Sequence, residues 1–344
     1  MLRHHNDCFR HAAITGLFVL AFGVLSAAAH ADTLKWITFK PQNANDAQSI
    51  TTQWMVDEFK KRTGGKHEFQ VFWGGSVAKA KEVPDALSGG AGDIGDIITP
   101  YFPDKFPLNN AVGFFIPQPK STIEVGLLME LWHTQYPQFD EELKKYNLKT
   151  IGFRPLGNYG IICTKPVKSL ADFKGKRIRT YGFAYPALVQ ALGGTPVSMS
   201  SSDGYEALQR GILDCSPIDP VLAHGWKYDE VAKYYINVPI GASFGHMITM
   251  NRKSYDKLDP QTRAILDGLG REYTVRYSVQ MEILKDQIIQ GWKKKGVTVI
   301  NLPKEEFVSK VVNFPAVKAV RQKWIDRANA LGVPAEKIAE DLTF

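Results

Sequence analysis

The order of apolar and polar positions along the chain predicts alternating strands and helices. Residues 34–39 are apolar, aromatic and β-branched, which reads as a strand, and residues 46–62 carry Ile50, Trp54, Met55 and Phe59 at helical spacing. Gly64 and Gly65 end that helix as a C-cap. Residues 68–73 alternate, with Phe69, Val71 and Trp73 on one face. A short helix at 81–87 contains Pro84, and a further strand covers 94–98. This succession is the signal of a parallel α/β layer. The pattern returns with strands at 149–153, 160–164, 177–180, 195–199 and 212–215, and helices at 185–192 and 202–210. Residues 246–250 read as a late strand. From Pro260 onward the chain is almost wholly helical, over 259–269, 272–294, 304–312 and 317–331. Asp259 before Pro260 is an N-cap followed by proline at the first helical position. The expected fold class is α/β, two-lobed, with a helical C-terminal region. Residues 32–155 form mainly the first lobe, 156–250 mainly the second, and 251–344 complete and link them. Two such lobes frame a crevice at their strand ends.

The first 31 residues follow a different pattern. Arg3, His4, His5 and Arg10 make a basic start, an apolar run covers 14–25, and Ala29-His30-Ala31 forms an A-x-A site. This is the layout of a secretory signal peptide, cleaved near Ala31, with the mature chain starting near Asp32. The apolar run is shorter than the about 20 residues a membrane helix needs, and Cys8 precedes it, so it is not a lipid-attachment cysteine. No later segment is apolar enough to span a membrane. Two cysteines remain after cleavage, Cys163 and Cys215. In an exported chain they leave two readings open, a disulfide or two buried thiols.

Charge narrows the function classes. The 42 Lys and Arg exceed the 35 Asp and Glu by seven. Loss of Arg3 and Arg10, offset by Asp7, leaves +6 on the mature chain. The basic residues are spread along the chain with no stripe interleaved with aromatics, which argues against nucleic acid. A mild positive field favours collection of anionic ligands.

Motifs for catalysis lack their context. Residues 90–95 spell GxGxxG, but a helix precedes them and a strand follows, the reverse of a dinucleotide site. Residues 241–245 spell GxSxG, but a strand rather than a helix follows, and His246 stands too close to come after an intervening acid. His224 and His246 lack metal-ligand spacing. The chain is therefore expected not to be an enzyme. The strand Arg177-Ile178-Arg179 places two arginines on one face before a turn at Tyr181-Gly182. A guanidinium offers a two-pronged donor matched to a carboxylate, although from spacing alone two solvated arginines on a surface strand is the commoner arrangement.

Three runs carry a resemblance. They are DFKGKRIR at 172–179, ALGGTPV at 191–197 and YEALQRGILD at 205–214. Together they resemble the extracytoplasmic solute-binding subunit of TRAP transporters, the DctP type. FKKRTGG at 59–65, ALSGGAGD at 86–93, and Phe106-Pro107 before GFFIP at 113–117 agree with that family's first lobe. The resemblance implies two α/β lobes joined by crossing strands and a long helix, in the periplasm. It implies a cleft that closes on a small organic acid, usually a carboxylate, and delivery to a small and a large membrane subunit driven by an ion gradient. The family's central arginine falls on Arg179. A second arginine of sialic-acid-type members is replaced by Tyr159, a family asparagine falls near Ile218 with Asp219 next to it, and an early polar contact falls on Phe39. These departures point away from sialic acid and toward a more aromatic pocket, to which Trp73, Tyr181 and Phe183 add. Arg154 supplies a candidate second positive charge, and His246 lies where the late cleft strand should run. The cation-binding branch of the family uses acidic and tryptophan ligands that residues 215–219 do not match, so no metal or cofactor is expected. An ABC-type or sensor-linked binding protein, or a periplasmic enzyme acting on a small acid, are the alternatives.

Overall fold

Among the described residues, eleven strands form two sheets, and the chain crosses between them three times. The computed structural model describes residues 32–44, 46–242 and 245–344. The leader expected at 1–31 and Ser243 of the GxSxG segment lie outside these residues. The strands are β1 (Asp32–Ile37), β2 (His67–Phe72), β3 (Ile94–Ile98), β4 (Leu148–Pro155), β5 (Asn158–Cys163), β6 (Arg177–Thr180), β7 (Thr195–Ser198), β8 (Cys215–Ile218), β9 (Tyr234–Ala242), β10 (Gly245–Asn251) and β11 (Thr298–Asn301). The first sheet has the order β2-β1-β3-β10-β4 and the second β11-β9-β5-β8-β6-β7. The β1, β2 and β3 pairings are parallel, as the alternation with helices requires, and β10 and β4 add antiparallel strands beside β3. The chain passes from the first sheet to the second between β4 and β5, back between β9 and β10, and again to the second between β10 and β11. Each sheet carries its own helices, giving two α/β lobes joined by crossing strands.

Successive residues of β1 point to opposite faces, so Trp36 enters the apolar cluster on one side of the first sheet and Ile37 the cluster on the other. A separate cluster built on Ile161, Ile178 and Ile236 holds the second sheet.

The helix Ala47–Arg62 starts where expected, with the Asp46 side chain accepting from the Ser49 N–H. Its buried face differs from the expected stripe. Ile50 is 38% exposed, whereas Gln48, Thr51 and Thr52 are buried beside Met55 and Phe59. The reason is that this helix turns polar groups toward a buried hydrogen-bond network, described below. The expected strand at 212–215 starts later, at Cys215. The Ile212 and Leu213 N–H groups both close the preceding helix on Ala207 O, and Ile212 is left exposed. The two helices expected around 270 are one helix, Pro260–Lys294, of 35 residues. Gly270 does not break it. A Cβ on that residue would lie 1.8 Å from Ile151 O, so the glycine permits the helix backbone to rest on β4. Asp259 caps this helix through the Gln261 and Thr262 N–H groups.

Cys163 and Cys215 are register partners across the antiparallel β5–β8 pair and form a disulfide, S–S 2.10 Å. Of residues 90–95, the first four form the turn between the helix Val83–Ser88 and β3, and Ile94 and Gly95 open the strand. Asp93 anchors that turn by accepting from the Lys35 N–H and the Ser254 hydroxyl.

Candidate functional site

Parallel strands end on a common side, and here their carboxyl ends meet a cavity. Phe39 and Lys40 follow β1, Ile98 ends β3, and Tyr181 follows β6, while Arg154 stands near the end of β4. Arg179 on β6, Tyr159 on β5 and His246 at the start of β10 complete the ring, together with Tyr101, Leu156, Ser201, Leu222 and Trp226. This is the position at which open α/β sheets generally hold ligands.

Arg179 is 2% exposed. Its Nε donates to Met199 O and Ser200 O, each at 3.2 Å. Its two Nη atoms have no hydrogen-bond acceptor among the described residues and line the cavity. The guanidinium carbon stands 4.6 Å from the centre of the Tyr181 ring. Tyr181 meets Tyr185 at 4.3 Å and Tyr101 at 6.3 Å, and Tyr159 meets Tyr185 at 6.1 Å. The tyrosines hold the arginine in place, and its Nε bonds aim the remaining fork inward. A buried guanidinium with unspent parallel donors is suited to bidentate capture of a carboxylate.

The first lobe brings a polar network to the same cavity. Arg154, 1% exposed, donates from Nη1 to Gln48 Oε1 at 2.5 Å and from Nη2 to His246 Nδ1. Its Nη2 also lies 3.8 Å from Asp96 Oδ2. The Asp96 Oδ2 accepts from the Thr38 hydroxyl at 2.8 Å and from the Gln48 amide. Burial drives the Asp96 carboxyl up, opposed by Arg154 and these donors. The Thr38 and Gln48 donors both reach Oδ2, the oxygen that also faces Arg154. Burial, then the charges of Arg154 and Lys40, push the His246 imidazole well below its ordinary range, so the ring is neutral. Since a guanidinium only donates, Nδ1 is the acceptor and the ring proton resides on Nε2. Lys40 forms a buried ion pair with Asp46. Burial raises the Asp46 carboxyl, but Lys40 outweighs it and holds the group below its usual value.

Arg179, Tyr159, Phe39, Tyr181, His246 and Arg154 thus converge on one cavity. Three other expected residues do not line it. Trp73 lies half-buried just past β2, the edge strand of its sheet, two positions from β3. Phe183 is drawn into the first-lobe cluster, with Phe114 at 5.6 Å and the Lys323 ammonium 4.0 Å over its ring. Asp219 is fully buried behind the wall, where its Oδ1 accepts from the Val221 and Leu222 N–H groups at 2.9 and 3.0 Å. Burial pushes its carboxyl up to about 7. Its part is to cap the helix Pro220–Gly225, which carries Leu222 to the cavity with Trp226 just behind it. Lys40, Tyr101, Ser201 and Trp226 were missed by the sequence reading. Only Lys40 had a signal, its place immediately after Phe39 at the end of the first strand.

Known proteins share this two-lobed fold. A solute-binding protein of Verminephrobacter eiseniae (strain EF01-2) is 24% identical over 305 residues, 83% of this chain and 84% of that protein. Among solved structures, a TRAP periplasmic solute binding protein from Desulfovibrio salexigens with bound orotic acid superposes with a TM-score of 0.78 at 17% identity, covering 90% of this chain and 97% of that one. One from Bordetella bronchiseptica with bound (R)- and (S)-mandelate gives 0.77 at 19% identity, covering 90% and 96%. The family model for bacterial extracellular solute-binding protein, family 7 (DctP), matches residues 41–313, a span that holds every strand but β1 and nearly the whole cavity wall. With two lobes, a buried cleft and a match of that extent, the chain belongs to the DctP family of bacterial extracellular solute-binding proteins.

Proposed function

We propose that this protein captures a small organic acid in the periplasm and delivers it to the small and large membrane subunits of a TRAP-type, ion-gradient-driven transporter. The observation that carries the reading is the buried fork of Arg179, whose Nη donors face an aromatic cavity and meet no acceptor among the described residues. Two charge-assisted hydrogen bonds to a carboxylate there contribute about 1.5–3 kcal/mol each. The acids bound by the related structures, orotic acid and mandelate, support the same ligand class. The leader read in residues 1–31 supports export, with cleavage near Ala31.

The composition of the wall supports binding rather than catalysis. Arg179, the tyrosines and the apolar side chains orient and desolvate a ligand, and the neutral His246 is committed to Arg154. Residues from both lobes line the cavity, so a ligand that contacts both favours their closed arrangement by its differential affinity for that state. The closed form is what the membrane subunits recognise.

The test is a thermal-shift screen of residues 32–344 against organic acids, sugars, amines and nucleotides. Binding to the native state alone raises Tm by mass action. A rise confined to one group of carboxylates is expected. A rise only with uncharged or cationic compounds refutes the reading.

A further inference from the structure

Among the described residues the cavity has three cations on its wall, Lys40, Arg154 and Arg179, but they are not equivalent. Lys40 is paired with Asp46, and the two side chains are 5% and 4% exposed. Arg154 faces Asp96 at 3.8 Å, with exposures of 1% and 0%, and its Nη groups are committed to Gln48 and His246. Among the described residues, Arg179 alone of the three has only neutral neighbours, the carbonyls of Met199 and Ser200 and the tyrosine rings. The nearby Asp203 is exposed and bonded to the Ser200 and Ser202 hydroxyls. The wall therefore holds two internally balanced pairs and one uncompensated positive charge.

We infer that the site is matched to a monocarboxylate with a compact, largely apolar body, and rejects the dicarboxylate of the same skeleton. This rests on the organic-acid reading above and narrows it. A carboxylate seated on Arg179 neutralises the cavity. A second carboxylate would leave water for a pocket walled by Phe39, Ile98, Leu156, Leu222 and Trp226, where each remaining cation already has a buried counter-ion. An ionised group desolvated without a partner is strongly disfavoured. The first-lobe pole, with neutral His246 beside Phe39 at a ring separation of 6.4 Å, suits an uncharged part of the ligand. Asp46 is then a specificity-determining residue: it holds the Lys40 charge away from the ligand.

The experiment is a titration of residues 32–344, followed by thermal shift and calorimetry, with acids taken in pairs. Suitable pairs are butyrate with succinate, lactate with malate, benzoate with terephthalate, and nicotinate with quinolinate, alongside a broad panel of other mono- and dicarboxylates. The wild type is expected to bind at least one monocarboxylate, with its dicarboxylate partner at least 100-fold weaker. In Asp46→Asn, which keeps a good N-cap for its helix while releasing Lys40, that ratio is expected to narrow at least tenfold. Dicarboxylate binding by the wild type as tight as, or tighter than, that of the matched monocarboxylate overturns the inference and leaves the organic-acid reading standing. Silence toward every acid overturns both. The wild-type arm decides the matter even if the variant fails to fold.

Discussion

Arg154 on β4 and His246 on β10 are register partners in an antiparallel pair, and the guanidinium Nη2 donates to the imidazole Nδ1. Each settles the state of the other. The arginine can only donate, so the histidine must accept and stay neutral. The histidine in turn holds the guanidinium over Asp96 and Gln48, with Tyr277 5.6 Å from its centre. The Nη groups of Arg154 are therefore spent within the first-lobe wall of the cavity, while Arg179 keeps donors to give.

Loss of Arg179 should remove binding without unfolding the chain. Two charge-assisted bonds amount to about 3–6 kcal/mol, so Arg179→Ala should weaken the cognate acid about 100-fold to 10,000-fold. Circular dichroism should remain native, and Arg179→Lys should recover only part of the loss because it keeps the charge but not the fork. Calorimetry on the three proteins checks this. Wild-type affinity in Arg179→Ala would remove Arg179 from the site.

Breaking the Arg154 pair should cost stability. Arg154→Ala strands the buried Asp96 carboxylate, and removal of one partner of such a pair typically costs about 3–5 kcal/mol. The double variant Arg154→Ala/Asp96→Asn should recover part of that loss, since the stranded charge is gone. Denaturant unfolding of the single and double variants measures the coupling.

Asp219 should make stability fall as pH rises. Its folded pKa of about 7 lies above the unfolded value of 3.8. Between these values the folded state retains a proton that the unfolded state has released, so stability is lost with increasing pH over that window and is level above it. Asp219→Asn keeps an N-cap and removes the titration. The Tm of the variant minus that of wild type should therefore grow from pH 4 to pH 7. A difference that is flat across this range would contradict the assignment.

The Cys163–Cys215 bond closes a separation of 52 residues. Constraint of the unfolded chain by a loop of this size corresponds to about 4 kcal/mol. Cys163→Ser/Cys215→Ser, or reduction of the wild type, should lower Tm by several degrees, and reduction should leave the variant's Tm unchanged.

Gly270 should resist even a methyl group. An added Cβ would fall 1.8 Å from Ile151 O on β4, where only backbone movement can relieve the clash. Gly270→Ala should destabilise by about 3 kcal/mol or more. Because β4 carries Arg154, ligand affinity should fall as well, whereas Gly268→Ala, with open space around its Cβ position, should affect neither.

Local signals in the chain were sufficient for much of the architecture. The strands 94–98 and 177–180 and the helix 304–312 have the bounds their patterns predict, and Asp259-Pro260 starts the long helix. These depend on side-chain periodicity and capping, which act over a few residues. Arg179 was legible because it sits near a strand end before a turn, inside a recognisable run. What the pattern could not decide depends on contacts distant in sequence. Ile50 has helical spacing but faces out, because Gln48 on the same helix is needed against Arg154 and Asp96. Trp73 and Phe183 are aromatic residues near strand or turn ends, yet an edge strand and a neighbouring helix take them elsewhere. The pairing of Cys163 with Cys215, the register of Arg154 on His246 and the balance of Lys40 by Asp46 arise only when β4, β5, β8 and β10 find their places in the two sheets. Sequence periodicity determines which residues are on a strand or a helix. Only the crossing of the strands decides which charges face one another, and hence which one is left for the ligand.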